Sequence, residues 1–270
     1  MAKISIITIN LNNLEGLKTT VKSVLCQTYN NYEFIIIDGG SIDGSTKYLE
    51  ELEPSVADVK SEPDTGIYNA MNKGIIKATG EYLIFLNSGD SLYADNTLQI
   101  VSEKMEENIG VDIIYGDIVY QQKTHSEERT FPDELTFSFF YLENISHQAS
   151  FIKKTLFDKV FLYNEKFHIV SDWEFFTCAI CKFNASYKHI KIITTIYDAE
   201  GISSDLANHP KMYEERNISL REHFPTFVED YKNIIELRSK RTKQFLYIKQ
   251  SKFAFKILKG FMSIILLLLP

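Results

Sequence analysis

The 270-residue sequence predicts an α/β fold, a mostly parallel sheet with helices on both faces, followed by a C-terminal helical tail. Three observations predict it. Apolar runs without polar alternation recur through the first 120 residues, the pattern of strands buried on both faces. Each run is followed by a stretch of helical spacing, the alternation of βα units. Charge is also unevenly spread: residues 1–236 hold 21 basic and 36 acidic side chains, a net of −15, whereas residues 237–270 hold eight basic and no acidic ones.

The elements follow in order. Ile4–Ile9 is a β-branched run, and Leu14–Leu25 has helical spacing through Leu17, Val21 and Val24. Glu33–Ile37 reads as a second strand that stops at Asp38-Gly39-Gly40. Ser45–Leu52 reads as a short helix and Val56–Lys60 as a third strand. Gly66–Ala78 is helical and closed by Gly80; Tyr82–Leu86 is a fourth apolar strand running into Asn87-Ser88-Gly89-Asp90. A helix over Asn96–Glu107 and a strand over Asp112–Tyr115 complete the regular part. After Tyr120 the pattern loosens, with strands expected at Ser146–Ile152 and Lys188–Tyr197 and helices at Trp173–Cys181 and Lys211–Glu222.

Composition narrows the function. Apolar content of 44% and charged content of 24% exclude a disordered chain. Three cysteines exclude a disulfide scaffold and suit a reducing compartment. Cys178 and Cys181 lie one turn apart in a helical stretch with no second ligand pair, so they read as thiols rather than a zinc site. A net charge of −7 argues against nucleic-acid binding. The start lacks the apolar segment and cleavage site of a secretory signal. The tail's apolar run, Phe261–Leu269, is shorter than the roughly 20 residues that span a bilayer. With Lys256 and Lys259 it suits a helix lying in an anionic interface. The expectation is a cytoplasmic protein, peripheral on the inner face of the plasma membrane through residues 237–270.

Polar clusters fall where the strands of such a sheet end, the usual place for its ligands. Asp38 ends a buried strand beside two glycines and can accept hydrogen bonds from a base or ribose. Asp43 and Ser45 read as a turn and helix cap. Asp90, in Asn87-Ser88-Gly89-Asp90, can hold a divalent cation that bridges a diphosphate, since Mg²⁺ and Mn²⁺ often use one or two carboxylates plus phosphate oxygens.

Four segments carry a resemblance: Ile4-Ser-Ile-Ile-Thr-Ile-Asn10, Ile37-Asp-Gly-Gly-Ser-Ile-Asp-Gly-Ser45, Ser61-Glu-Pro-Asp-Thr-Gly-Ile-Tyr-Asn-Ala-Met-Asn-Lys-Gly74 and Phe85-Leu-Asn-Ser-Gly-Asp90. In order and spacing the chain resembles a family 2 glycosyltransferase over residues 1–205, in the branch of bacterial polysaccharide and O-antigen biosynthesis. The resemblance implies a GT-A fold, a nucleotide-diphosphate sugar donor (a UDP-sugar first), Mg²⁺ or Mn²⁺, and inversion at the anomeric carbon. It places Thr8, Asn10, Asp38, Asn72, Lys73, Ser88 and Asp90 at the donor, with Asp90 also at the metal. The chain departs from the family's Asp-x-Asp motif: Asn87 and Gly89 stand at the usual acids, leaving Asp90 alone.

In the second half, Ser171-Asp172-Trp173-Glu174 resembles the family's acidic pair before an apolar helix, with Ser171 replacing the first acid. Asp172 is then the candidate base. His147 and Gln148, Trp173 and Gly201 (in the loop Ala199–Ser204) are expected at the acceptor or behind it. The implied organisation is a nucleotide-sugar-binding half (1–120), an acceptor-binding half (121–225) and a basic helical tail (226–270). The tail points to a saccharide acceptor linked to a polyprenyl diphosphate. The competing reading is a non-catalytic module that binds a nucleotide sugar or scaffolds a membrane assembly, favoured by the depleted acidic motif.

Overall fold

A computed structural model describes residues 2–52, 58–201, 204–237 and 239–268. Two compact units divide the chain, residues 1–217 and 218–270.

The first unit opens with β1 (Ile4–Asn10), buried throughout, and α1 (Leu14–Leu25), whose N-cap Asn13 accepts a hydrogen bond from the Gly16 amide. β2 (Tyr32–Asp38), α2 (Ser45–Glu51) and β3 (Asp58–Ser61) follow. Residues 53–57, which hold the start of the strand expected at Val56–Lys60, lie outside the described residues. Next come α3 (Ile67–Lys77), β4 (Tyr82–Phe85), β5 (Ser91–Leu92), α4 (Thr97–Glu107), β6 (Ile113–Gln121) and β7 (Ser126–Arg129). After α5 (Phe137–Leu142), a 3₁₀ turn at His147–Ala149 leads into β8 (Ser150–Lys153) and α6 (Lys154–Lys159). α7 (Ser171–Cys181) and β9 (Tyr187–Asp198) complete the unit, and α8 (His209–His223) crosses the boundary after residue 217.

The strands form one sheet in the order β3-β2-β1-β4-β8-β6-β9-β5, with β7 on β6. β3, β2, β1 and β4 are parallel, as their unbroken apolar runs predict. The second half is mixed: β8 runs antiparallel to both β4 and β6, whereas β6 and β9 are parallel. An apolar run carries no direction, so this reversal is invisible in sequence. It matters for the site, because a strand running backwards begins where its neighbours end. His147 and Gln148, just before β8, are thereby delivered to the carboxyl end of β4, and Asp198 arrives there at the end of β9.

Alternate residues of each strand feed two cores. Ile7, Ile35, Ile37 and Phe85 meet Met71 and Ile75 of α3 and Phe175 and Phe176 of α7 on one face. Ile6, Ile36 and Ile84 meet Leu17, Val21 and Val24 of α1 and Leu98 and Val101 of α4 on the other. α3 lies so close to β1 that a Cβ at Gly74 would overlap Ile7 Cγ2.

The second unit contains α9 (Pro225–Leu237), α10 (Lys240–Lys249) and α11 (Lys252–Leu266). Ser239 and Ser251 cap the last two by accepting from the Thr242 and Ala254 amides, and Phe245 and Phe255 meet edge to face at 6.0 Å. Among the described residues no helix is long and apolar enough to cross a membrane.

Candidate active site

A cavity of about 540 Å³ lies over the carboxyl ends of the strands. The first wall comes from β1 and β2, whose register sets Asn10 beside Asp38. Asn10 borders the cavity and donates from Nδ2 to Asp38 Oδ1 (2.7 Å) and to Ser41 Oγ (3.1 Å). Asp38 itself is fully buried. Its oxygens also accept from the Ser41 hydroxyl and amide, the Gly40 amide and the Ser61 hydroxyl. Burial raises its pKa, but these donors outweigh that and hold the carboxyl below its ordinary value. The carboxylate therefore shapes the loop 39–41 and does not border the cavity. Thr8 is buried as well, two residues short of the strand end, and its hydroxyl has no partner among the described residues.

The second wall is the turn after β4. Ser88 borders the cavity, and its hydroxyl donates to the Ile9 carbonyl (3.2 Å). Asp90 borders it too, yet is only 2% exposed. Its Oδ2 accepts from the Asn87 amide and its Oδ1 from the Asp198 amide, both at 3.0 Å. Burial pushes the Asp90 pKa up to about 7, against the opposing pull of the Asp198 and Asn87 amides, the His147 charge and Gln148. Asp198 lies against the same turn: a Cβ at Gly89 would meet its Oδ2 at 2.5 Å. Among the described residues no group of three or more His, Cys, Asp or Glu surrounds one point. Asp90 and Asp198 nevertheless fit a divalent ion whose other ligands are phosphate oxygens, because a buried carboxylate resisting ionisation is one that a cation stabilises.

The third wall is the N-terminus of α7. Asp172 Oδ1 accepts from the Tyr68 hydroxyl (3.0 Å), and Oδ2 meets His147 Nδ1 (3.0 Å) and Asn144 Nδ2 (3.2 Å). Burial raises the Asp172 pKa, but the hydrogen bond and charge of His147, with the Tyr68 hydroxyl, more than offset it and hold the carboxyl below its ordinary value. A second cavity, about 700 Å³, opens on the other side of this group. His147, Gln148 and Asp172 border both cavities.

Of the other expected site residues, Asn72 and Lys73 border neither cavity. Asn72 is buried and clamps α3 to the Tyr163 backbone, donating to its carbonyl (2.8 Å) and accepting from its amide (3.0 Å). Lys73 pairs with Glu62 (2.9 Å). Trp173, expected at the acceptor or behind it, is 2% exposed and borders the second cavity; its indole N–H donates to the Phe140 carbonyl, and the Arg216 guanidinium lies 5.0 Å from its ring. Gly201 borders the first cavity, while residues 202–203 of its loop lie outside the described residues. Tyr68, Asn144, Asp198 and Arg216 are not among the residues to which the sequence points. Only Tyr68 carries a signal there, since it lies inside the 61–74 motif.

A family model, glycosyl transferase family 2, matches residues 5–168. A PGL/p-HBAD biosynthesis glycosyltransferase of Mycobacterium bovis (strain BCG / Pasteur 1173P2) is 33% identical over 175 residues, covering 63% of this chain and 67% of the relative. An uncharacterized glycosyltransferase of Mycobacterium tuberculosis (strain ATCC 25618 / H37Rv) is 33% identical over 210 residues, covering 68% and 75%. Among solved structures, S. aureus TarS 1–349 in complex with UDP-GlcNAc superposes with a TM-score of 0.59 at 16% identity, over 73% of this chain and 58% of that one. The mannosyltransferase PcManGT from Pyrobaculum calidifontis, in complex with GDP-Man and Mn²⁺, gives 0.57 at 14% identity, over 82% and 61%. The chain thus spans about three-fifths of either solved chain, and at such identities the likeness is one of fold, here GT-A. With the family model matched over more than half its length, the chain belongs to glycosyl transferase family 2.

Proposed function

We propose that the protein is an inverting glycosyltransferase that moves a sugar from a nucleotide-diphosphate sugar, a UDP-sugar, to a lipid-linked saccharide in surface polysaccharide synthesis. The observation that carries this reading is the meeting of two cavities at one carboxylate–imidazole pair, Asp172–His147. A donor in the first cavity and an acceptor in the second would face each other across the groups that can take a proton. In a single displacement the acceptor oxygen attacks the anomeric carbon as the bond to the diphosphate breaks. Inversion follows from attack opposite the leaving group. The complex of TarS with UDP-GlcNAc supports the donor class, and that of PcManGT with GDP-Man and Mn²⁺ supports a divalent ion. Asp90 and Asp198 would hold that ion, Mg²⁺ or Mn²⁺, which supplies charge neutralisation on the diphosphate. The remaining work belongs to the chain: Asn10 and Ser88 line the donor side, and Asp38 keeps the loop beside them in shape.

The tail supports a membrane-held acceptor. In α11, Lys252, Lys256, Lys259 and Ser263 recur at helical spacing along one narrow stripe, and the rest of the circumference is apolar. Phe253 is 77% and Phe261 63% exposed. Fifteen residues span about 22 Å, short of the roughly 30 Å hydrocarbon core, so this helix suits the plane of the interface. Each basic residue near an anionic surface contributes about 1 kcal/mol.

A panel of nucleotide sugars with Mn²⁺, Mg²⁺ or EDTA tests the activity. Transfer or slow hydrolysis of one donor, lost in EDTA and sharply reduced in Asp172→Asn at unchanged donor affinity, is the expected result. Binding without turnover under every condition would assign the protein to the non-catalytic class instead. The tail reading is tested by sedimentation with vesicles: binding to phosphatidylglycerol-containing but not purely phosphatidylcholine vesicles is expected. A chain truncated after Glu236 that still sediments would refute it.

A further inference from the structure

We infer, resting on the glycosyl-transfer reading, that the second cavity receives an acceptor sugar carrying an oxyanion, a phosphate ester or a carboxylate, and that the Arg216 guanidinium binds that oxyanion. Charge separates the two cavities. Five acids border the first and, among the described residues, no Lys or Arg does, whereas Arg129 and Arg216 border the second. Arg129 is already engaged: it pairs with Glu127 at 3.2 Å and lies 4.2 Å from the centre of the Tyr120 ring. Arg216 is not. Its Nε has no hydrogen-bond partner among the described residues. Glu143 and Asp172, acids that also border this cavity, reach it as charges and not through hydrogen bonds.

A guanidinium in that state is short of a counter-charge. Burial lowers the Arg216 pKa, while Asp172, Tyr213 and Glu143 raise it through space. Arginine nevertheless keeps its proton in proteins, so the charge stays, and a partly buried charge without a hydrogen-bonded acid gains most from an incoming anion. Its planar fork of donors matches two oxygens of a carboxylate or phosphate.

The position of this charge is set by its surroundings. One residue earlier in α8, Glu215 is buried and accepts from the His168 and Ile169 amides, at 2.8 and 3.0 Å, which ties this turn to the segment before α7. The Arg216 side chain then lies over the Trp173 ring, 5.0 Å from its centre. Asp172 precedes Trp173 and borders both cavities, and its charge reaches Arg216, so the guanidinium stands close to their junction. The oxyanion therefore belongs to the sugar that offers the attacking hydroxyl or to the linkage beside it. The donor diphosphate, placed in the first cavity, stays clear of Arg216.

Equilibrium binding to the full chain, with UDP and Mn²⁺ filling the donor cavity, tests this. Glucose 1-phosphate, glucose 6-phosphate and glucuronate are the probes, and glucose is the neutral control. At least one anionic probe should bind about tenfold or more tighter than glucose, the usual worth of hydrogen bonds to a charged group. The preferred probe tells a phosphate from a carboxylate. Arg216→Gln should abolish the preference while affinity for UDP with Mn²⁺ stays within about threefold of wild type. Arg216→Met, which keeps an apolar stem against Trp173, takes its place should Arg216→Gln fail to fold. Anionic probes that bind no tighter than glucose, or a preference that survives loss of the guanidinium, would overturn the inference. So would a fall in UDP affinity with the sugar preference intact, which would assign Arg216 to the donor. A wild-type protein that shows the Arg216-dependent preference yet transfers no sugar from any nucleotide sugar would instead refute the glycosyl-transfer reading and leave the oxyanion site standing.

Discussion

Replacing Asp90 by Asn removes an ionisation that the fold makes costly. In the folded protein burial lifts the Asp90 pKa from 3.8 to about 7. The raised value means the folded state holds this proton more tightly than the unfolded chain. The group's contribution to stability is therefore complete below pH 3.8, is lost progressively as pH rises to about 7, and changes no further above it. A shift of about three units corresponds to about 4 kcal/mol over the whole window, and about 2 kcal/mol of it falls between pH 5.5 and 8. The amide that replaces the carboxyl in Asp90→Asn does not ionise. Its single oxygen can accept from only one of the Asn87 and Asp198 amides, and the lost partner costs about 1–3 kcal/mol at every pH. The informative quantity is consequently a difference of slopes. Urea unfolding at pH 5.5 and 8, at matched ionic strength, should show wild type losing about 2 kcal/mol more than Asp90→Asn, because every other titrating group is common to both. Parallel pH dependences would refute the reasoning. At pH 8, Mn²⁺ with UDP should also raise the unfolding midpoint of wild type more than that of the variant.

Two further perturbations probe the scaffold. Glu33 accepts from Lys3, Ser5, Thr79 and Gly80; burial alone would raise its pKa, but these donors hold it down to about 2. Its stabilisation is present above about pH 4.5 and lost as pH falls through 2. Discounted for solvent screening of a partly exposed group, Glu33→Gln should cost about 2 kcal/mol at pH 7, a gap that closes in urea titrations run toward pH 2. Gly74→Ala would press a methyl into Ile7 and should lower stability by about 1–3 kcal/mol, measured as a fall in Tm.

The first half of the fold was legible because short β-branched runs, bounded by turn residues and separated by helical stretches, fit strands buried on both faces, and Asp38 and Asp90 could be placed at strand ends by counting residues. What those acids do there was less legible. Asp38 turns inward because its own loop supplies its donors, and Thr8 is covered although it lies near a strand end. Trp173 spends its N–H on the Phe140 carbonyl, a partner 33 residues away in sequence. Asp198 escapes a sequence reading for a similar reason. Its position depends on β9 pairing with β6 and β5, contacts of high sequence separation that no local pattern encodes. The tail was legible by composition alone, but the single lysine stripe of α11 emerges only once its helical phase is known.

The charges around the first cavity bear on how a diphosphate could enter it. Asp64, Asp90, Asp172, Asp198 and Glu200 border the cavity, and among the described residues no Lys or Arg does. An anion with two or more charges approaching five carboxyl groups is repelled unless a cation arrives with it or some carboxyls are protonated. Asp90, with its pKa near 7, is the group most ready to exchange a proton for a metal ion. The depleted acidic motif is therefore consistent with metal-assisted binding: a second full carboxylate at Asn87 or Gly89 would add repulsion to a turn where Asp198 already supplies one from β9. Chelation should accordingly weaken UDP binding itself, not only turnover. Equal UDP affinity with and without EDTA would show that other groups neutralise the diphosphate.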